Sequence, residues 1–379
     1  MEIGRNPSLL TEYMFYKAEK SGIPLSGTFE LTPVCNFSCR MCYVRKTAEE
    51  VRNSSRPMRT LEQWLALARE ARDAGMLYLL LTGGEPTIWP GFWELYKELM
   101  QMGLVVSINT NGSMLDEKAV EQLSEYPPRR VNITLYGACD RTYEELCGVK
   151  GMFSKVDNSI TRLKEAGIQV KLNCSLTPRN AGDLEAMAAY AKSRSLILDI
   201  ATYMFPPLRR DSSMVGQNER FTPAEAAFYR LQSYKLQYDE EKYRDILQKI
   251  QKESVPPPGL RADCEDPMDG RIRCRAGKAS FWATWDGWLS LCGMMPQPRV
   301  DLMDRTFAEA WIELQNRCEQ IRVSGICKRC PDSQFCHACA AMAQTETGNT
   351  AGIPVYLCET AAEMRRLAEQ ELAAGRKNK

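Results

Sequence analysis

Over roughly its first 200 residues, the chain alternates short apolar runs with longer amphipathic segments. Six runs have the length and composition of strands: 27–31, 76–82, 104–110, 130–136, 169–175 and 196–202. Five helix-like segments separate them, at about 60–74, 91–102, 116–124, 153–166 and 181–193. Continuous Val, Ile and Leu runs are typical of buried parallel strands, and strands that alternate with helices indicate βαβ units. The pattern therefore predicts an α/β fold, either an open partial barrel or a doubly wound sheet.

The pattern changes after residue 205. A connector follows, with one helix-like segment at about 223–250 that the prolines at 256–258 end. Beyond it the chain is rich in cysteine and has few periodic runs. We therefore predict an N-terminal helical extension, an alternating region, a connector, a cysteine-rich region and a terminal helix with a basic tail: 1–26, 27–205, 206–262, 263–358 and 359–379.

Charge and hydropathy exclude several partners. The chain has 49 basic and 48 acidic residues, whereas proteins that bind nucleic acid or membrane surfaces through charge show a basic excess. No stretch approaches the ~18 apolar residues of a membrane span, and the N-terminus has no apolar signal-peptide core. We therefore expect a cytosolic (cytoplasmic) protein that binds neither nucleic acid nor membrane.

Fifteen cysteines are unusual for such a protein, because disulfides are rare in the cytosol and clustered cysteines there indicate metal or redox chemistry. Three of them, Cys35, Cys39 and Cys42, lie in one octapeptide directly after the first predicted strand. Functional sites of α/β folds lie at this end of the strands. A four-iron cluster held by only three thiolates keeps one open iron, which is where metal chemistry takes place. Three core thiols or half of a zinc site are the alternatives.

The loop resembles the CxxxCxxC signature of the radical SAM superfamily, which follows the first strand of a TIM-like partial (β/α)6 barrel. Two more motifs match that family in order and spacing: GGEP at 83–86 and TNG at 110–112. The resemblance covers about 27–205 and implies a 4Fe-4S cluster on Cys35, Cys39 and Cys42, with S-adenosylmethionine (SAM) on the open iron. It implies SAM contacts from seven residues: Tyr43, Gly83, Gly84, Glu85, Pro86, Asn111 and Thr134.

The nine cysteines between 264 and 358 include a pattern that resembles the SPASM domain, although the last gap of its four-cysteine run is two residues here instead of three. The resemblance implies two auxiliary 4Fe-4S clusters. The nearer would take Cys264, Cys274, Cys292 and Cys339, and the farther Cys327, Cys330, Cys336 and Cys358. Eight ligands would close both clusters, as suits electron transfer, whereas loss of Cys264 would leave an open iron. A zinc ribbon at 327–339 is the alternative, but its loop is shorter than the ~12–20 residues usual there.

Together these resemblances imply an oxidoreductase that cleaves SAM to a 5′-deoxyadenosyl radical and abstracts a substrate hydrogen atom, with no catalytic acid or base identified. The expected substrate is a peptide that receives a thioether or carbon–carbon cross-link, and the auxiliary clusters carry electrons. The alternatives are dehydrogenation or rearrangement of a sugar, amino acid or tetrapyrrole, and a non-catalytic iron–sulfur or zinc protein. A flavodoxin- or ferredoxin-type reductant is expected. Because about 26 residues precede the first strand, a separate protein or the barrel surface would recognise a leader peptide.

A few residues outside these motifs carry weaker expectations. Arg209 and Arg210 are either a solvated surface or a site for an acidic group near the barrel mouth. His337 is expected beside a metal site or in solvent. Four cysteines fit neither pattern and are expected as small buried hydrophobes, with Cys147, in a predicted loop, the one candidate to face substrate: Cys139, Cys147, Cys174 and Cys318.

Overall fold

A computed structural model describes residues 9–252, 270, 272 and 274–377. Its strands form one sheet in the order β6-β5-β4-β3-β2-β1-β7-β8-β9. Strands β1 to β6 are parallel, β7 is parallel to β1, and β8 and β9 are antiparallel additions. The strands are β1 Ser26–Glu30, β2 Tyr78–Thr82, β3 Val105–Thr110, β4 Arg130–Thr134, β5 Val170–Ser175, β6 Ile197–Ala201, β7 Ser280–Ala283, β8 Trp288–Ser290 and β9 Arg299–Asp301.

The order of the first six strands decides between the two predicted architectures. A doubly wound sheet reverses its strand order at a switch point, whereas here each strand lies beside the next one along the chain. The partial barrel is therefore confirmed. All six predicted strands are present, and each of their ends lies within two residues of the predicted position.

Helices cover the outer face of this sheet. On β3, Val106 and Ile108 are buried in the core between sheet and helices, while Ser107 and Asn109 alternate onto the other face. The helices are α1 Leu9–Ser21, α2 Ala48–Arg52, α3 Leu61–Asp73, α4 Phe92–Gln101, α5 Glu117–Glu125, α6 Asp140–Cys147, α7 Met152–Glu165, α8 Leu184–Ser193, α9 Pro223–Gln237, α10 Glu240–Lys252, α11 Phe307–Glu319, α12 Ala340–Thr347 and α13 Val355–Lys377.

Two expectations about helices are wrong, and some helices were not predicted. The single helix at 223–250 is two helices, α9 and α10, because the chain leaves the helical conformation at Tyr238. Helices α2, α6, α11 and α12 were not predicted. Cys147 is therefore the last residue of α6 and not part of a loop, and Gly148 ends that helix in the left-handed conformation that glycine tolerates.

The cysteine-rich region continues the barrel sheet. Strand β7 pairs with β1 from Ser26 opposite Ser280 to Phe29 opposite Ala283. A second apolar cluster, which includes Leu231, Leu247 and Met364, joins α9 and α10 to α13. No helix in the described ranges is long and apolar enough to cross a bilayer. Cys264, predicted as an auxiliary ligand, lies outside the described residues.

Candidate active site

The three-cysteine loop begins where β1 leaves the sheet, and all three of its thiols are half-buried. The thiols lie close enough to repel one another as thiolates. Backbone N–H groups already point at two of them: Phe37 N is 3.3 Å from Cys35 Sγ, and Arg45 N is 3.3 Å from Cys42 Sγ. Burial raises the pKa of Cys35 to about 12, whereas a bound cation deprotonates its thiol ligands outright. Clustered thiols with N–H donors to sulfur fit an iron–sulfur cluster.

The two glycines after β2 bring that strand end against the chain that leads into the loop. Gly84 N donates to Thr32 O at 2.6 Å, and Glu85 N donates to Val34 O at 3.0 Å. A Cβ on Gly83 would lie 2.5 Å from Thr32 O, and one on Gly84 would overlap the Val34 carbonyl oxygen. Only glycine permits this approach of two backbones. In this structure the close approach is to residues 32–34, and a contact of the glycines with SAM stays a prediction.

Glu85 joins the ends of β2 and β3. Its buried carboxylate accepts hydrogen bonds from Thr87 N and Oγ1, from Thr110 Oγ1 at 2.7 Å and from Asn111 N at 2.7 Å. Burial raises the pKa of Glu85, and these hydrogen bonds oppose that shift. Pro86, also buried, begins a short 3-10 helix at 86–88. The carboxylate is thus engaged within the protein and fixes the strand ends.

Asn111 links the end of β3 to the cysteine loop. Its Nδ2 donates to Asn36 Oδ1 at 2.8 Å and lies 3.7 Å from Cys35 Sγ. Asn36 in turn donates to Ser113 Oγ at 2.8 Å. Sequence reasoning missed Asn36 and Ser113, and the only signal was a polar residue between two motif cysteines. Among the other predicted SAM contacts, Thr134 ends β4 and is half-buried.

The end of α6 holds the opposite side of the loop. Ser38 N donates to Cys147 O at 2.9 Å, and Arg40 N donates to Leu146 O at 3.2 Å. The Cys147 side chain is buried and hydrogen-bonds Cys39, which lowers the pKa of Cys39. Cys147 therefore lies behind the loop and does not face a substrate.

Arg209 is neither a solvated surface residue nor a free cation that could bind an acidic group at the barrel mouth. Its guanidinium makes a two-pronged pair with the Glu30 carboxylate at 2.8 and 2.7 Å, and both side chains are largely buried. It also donates to Gly293 O at 3.0 Å, next to Cys292, and Trp282 Nε1 donates to Glu30 at 2.9 Å. Burial alone would lower the pKa of Arg209, but the Glu30 carboxylate holds it above its ordinary value. Its charge is thus committed to Glu30.

Two residues near this ion pair, Tyr43 and Arg210, interact with the three-cysteine loop. The half-buried Tyr43 interacts electrostatically with Glu30 and Arg209 and with the thiols of Cys42 and Cys292, and burial raises the pKa of Tyr43. The exposed Arg210 donates to Cys42 O at 2.7 Å. The segment after β6 therefore contacts both the three-cysteine loop and the chain at Cys292.

The distal thiols fall into two groups. The first group contains Cys274, Cys292 and Cys339, and each of these thiols interacts electrostatically with the other two. The second group contains Cys327, Cys330, Cys336 and Cys358, and Cys358 interacts with the other three thiols. These are the sets that the SPASM resemblance assigns, apart from Cys264. Within the part of the chain that the structure describes, no three Cys, His, Asp or Glu side chains converge as ligands of a single metal ion would.

Backbone donors also point at the distal sulfurs. Met294 and Met295 N–H groups bond Cys292, and those of Ala341 and Met342, at the start of α12, bond Cys339. Such N–H···S bonds favour the thiolate and tune iron–sulfur clusters. His337 contacts Arg230, and desolvation of its ring together with that cation lowers the pKa of His337 to about 4. His337 therefore lies in the chain between Cys336 of the second group and Cys339 of the first, and contacts Arg230.

Known proteins share this architecture. Residues 29–191 match the family model described as the radical SAM superfamily. The AdoMet-dependent heme synthase of Methanosarcina barkeri (strain Fusaro / DSM 804) is 24% identical over 335 residues, which cover 85% of this chain and 92% of that protein. The sporulation killing factor maturation protein SkfB of Bacillus subtilis (strain 168) is 25% identical over 305 residues, covering 79% of this chain and 68% of that protein.

Among solved structures, anSMEcpe with bound AdoMet and a Cp18Cys peptide aligns with a TM-score of 0.67 at 19% identity, over 94% of this chain and 99% of that one. At this identity the likeness establishes the fold. The matched domain contains the three-cysteine loop, the two glycines and Asn111 in the geometry described above. Residues 29–191 of this chain therefore form a radical SAM domain.

Proposed function

We propose that this enzyme modifies a peptide by a net oxidation, with SAM at the three-cysteine loop and two auxiliary 4Fe-4S clusters in the distal region. Cys35, Cys39 and Cys42 hold the first cluster. The nearer auxiliary cluster takes Cys274, Cys292 and Cys339, with Cys264 as its fourth ligand, and the farther takes Cys327, Cys330, Cys336 and Cys358.

The observation that carries the proposal is the grouping of the distal thiols. Thiols far apart in sequence, such as Cys274 and Cys339, are neighbours in space, and so are Cys327 and Cys358. Buried or clustered thiols without a metal would be packed as small hydrophobes, yet Cys274, Cys327 and Cys339 are exposed. Clustered thiols, with backbone N–H donors to the sulfurs of Cys292 and Cys339, fit an iron–sulfur cluster.

When bound, the first cluster and SAM supply a 5′-deoxyadenosyl radical, which takes a hydrogen atom from the substrate. The chain's residues fix where this takes place. Asn111 and Asn36 hold the cysteine loop against β3 at 2.8 Å. One electron enters to cleave SAM, and a two-electron oxidation of the substrate then releases one electron and one proton. The distal thiols would hold the auxiliary clusters that accept that electron, and Arg209, paired with Glu30, donates to Gly293 O next to Cys292.

A peptide substrate is supported by the shared fold of anSMEcpe, which was solved with a peptide, and by the similarity to the SkfB maturation protein. A second candidate is a tetrapyrrole, because the heme synthase relative covers 85% of the chain. A flavodoxin- or ferredoxin-type protein is the proposed reductant.

Anaerobic reconstitution tests the proposal. Three clusters predict about 12 irons and about 12 sulfides per chain, and deoxyadenosine should form only when SAM and a reductant are both present. The triple variant Cys35→Ala, Cys39→Ala, Cys42→Ala should keep about 8 irons and form no deoxyadenosine. Bound zinc in place of iron, with no deoxyadenosine from the natural sequence, would refute it.

The substrate class needs its own assay. Added cysteine-containing peptides should lose two hydrogens by mass and raise deoxyadenosine formation, while propionate-bearing tetrapyrroles should do neither. If tetrapyrroles lose two hydrogens and raise deoxyadenosine formation while peptides do neither, the proposed substrate is a tetrapyrrole and not a peptide.

A further inference from the structure

Two of the three loop thiols receive main-chain hydrogen-bond donors from their own loop. Phe37 N is 3.3 Å from Cys35 Sγ, and Arg45 N is 3.3 Å from Cys42 Sγ. These donors belong to the backbone, so a side-chain substitution leaves them in place. Cys39 differs, because side chains from outside the loop hydrogen-bond its thiol.

The two side chains that reach Cys39 come from different elements. One is Cys147, the last residue of α6, and the other is Tyr136, two residues beyond the end of β4. A thiol and a phenol each have one proton to donate, and a thiolate is an acceptor. With Cys39 as a thiolate ligand of iron, both side chains would therefore donate to its sulfur.

The ring of Tyr136 is held from several directions. Its centroid lies 6.0 Å from that of Phe37 and 5.7 Å from that of Tyr143, which meets it edge-on. Tyr136 N donates to Tyr143 Oη at 3.3 Å, and Tyr136 O accepts a hydrogen bond from Asn180 Nδ2 at 2.9 Å. These contacts do not involve the phenol oxygen, so its loss would leave the ring in place.

Cys147 is tied to the loop on both sides of Cys39. Ser38, which precedes Cys39, donates to Cys147 O from its N at 2.9 Å and from its Oγ at 3.3 Å. Arg40, which follows Cys39, donates from its N to Leu146 O at 3.2 Å. The main chain thus fixes the spacing between the two thiols, and Cys147 is buried there.

Hydrogen bonds to sulfur are among the features that set the reduction potential of an iron–sulfur cluster. The reduced cluster carries one more negative charge, and a donor to its sulfur stabilises that charge. A donor therefore raises the potential, and its removal lowers the potential. Because the proposed reaction starts from the reduced cluster, the donors at Cys39 would decide how readily it begins.

We propose that Tyr136 and Cys147 are positioning residues that act through Cys39 and raise the reduction potential of the cluster at the three-cysteine loop. The inference rests on the proposed function, since it assumes that this cluster is present. It adds a role for two residues that lie outside the cysteine motifs.

Tyr136→Phe and Cys147→Ala each remove one donor, and both are tested as reconstituted holoenzyme. A redox titration followed by electron paramagnetic resonance measures the potential of the first cluster, whose signal is the one that changes when SAM is added. In each variant the equilibrium constant for reduction of this cluster should fall about tenfold, a shift of about 59 mV to lower potential for one electron. Cys147→Ser keeps a donor and should stay near the natural potential.

Two control variants remove the same chemical groups elsewhere in the barrel. Tyr190→Phe loses a hydroxyl that donates to Asp157 at 2.6 Å, and Cys174→Ala loses a buried thiol on β5. Both controls should bind the full iron and leave the potential of the first cluster unchanged.

The iron content and the potential together decide the outcome. Unchanged potentials in Tyr136→Phe and Cys147→Ala, with full iron, would overturn the inference. Loss of about four irons from both Cys147 variants would also overturn it, because Cys147 would then hold the cluster and not tune it. A natural sequence that shows no SAM-sensitive iron signal would instead refute the proposed function.

Discussion

The two cysteine regions are held in opposite ways. The three-cysteine loop follows β1, a strand paired on both sides. The end of β2 bonds to residues 32–34, which lead into the loop, and the end of β3 and the C-terminus of α6 bond to the loop itself. The distal cysteines lie in turns, in a 3-10 helix at 325–329, at the start of α12 and on α13. All three loop thiols are half-buried, whereas Cys274, Cys327 and Cys339 are exposed.

This difference indicates where the fold itself supplies geometry. The loop is positioned by sheet hydrogen bonds and close backbone packing, which form whether or not a metal is bound. The distal cysteines have fewer such constraints, and metal binding that fixes weakly ordered ligands contributes directly to folding free energy. The proposed radical-forming centre needs the first kind of support because it must act on one substrate atom, and the proposed electron-carrying clusters are served by the second.

The largest expected effect comes from the ion pair that joins the regions. Arg209→Gln leaves the Glu30 carboxylate, 1% exposed, without its cation, and breaking a buried pair in this way costs about 3–5 kcal/mol. Urea unfolding of the apo-protein measures that loss, and iron in the distal region should fall because Gly293 loses its donor. Arg305→Gln, from the exposed Arg305–Glu313 pair, should cost less than about 1 kcal/mol. If both variants lose the same free energy of unfolding, the Arg209–Glu30 pair does not hold the two regions together.

A smaller effect is expected from Gly84→Ala. Its Cβ would meet the carbonyl oxygens of Pro33 and Val34, which are backbone atoms and cannot rotate away. Overpacking of this kind costs about 1–3 kcal/mol and should displace the three-cysteine loop. Iron analysis should therefore show that about one of the three proposed clusters is lost, while the visible absorption of the two distal clusters is retained. The control Gly182→Ala, where a Cβ would have no neighbour within 4 Å, should change neither the stability nor the iron content. A Gly84→Ala variant that binds its full iron would contradict the packing argument.

The smallest expected effect is a pH dependence at the outer strands. Arg56 bonds both oxygens of Asp301 on β9, which lowers the pKa of Asp301 to about 2. A carboxyl with a lowered folded pKa stabilises the protein above its unfolded pKa of about 3.9, and this contribution disappears as the pH falls toward 2. Because Asp301 is partly exposed, Asp301→Asn should cost about 0.5–1 kcal/mol at pH 7.

The same substitution should cost progressively less in unfolding experiments below about pH 4. The exposed Glu121→Gln on α5 serves as control and should show no such trend. A pH-independent cost for Asp301→Asn would assign the effect to packing instead of charge.

The sequence predicted the barrel strands because buried parallel strands leave long apolar runs, and it predicted the loop because three cysteines at fixed spacing are rare. It did not predict the pairing of β7 with β1, since partners 254 residues apart (Ser26 and Ser280) leave no local pattern. It also missed the ion pair of Arg209 with Glu30, because neither residue belongs to a motif. Helix α6 was missed since its eight residues are too short for a clear period.

The pairing of β7 with β1 limits how this enzyme can be divided. If the chain were cut before β7, the backbone N–H and C=O groups of β1 would line a bare sheet edge, with the half-buried cysteine loop at its tip. Unpaired edges of this kind recruit strands from other molecules and promote aggregation. A minimal catalytic fragment therefore has to keep β7. A fragment that ends at residue 191, where the family match ends, would contain the whole three-cysteine loop but would expose the edge of β1 and be prone to aggregate.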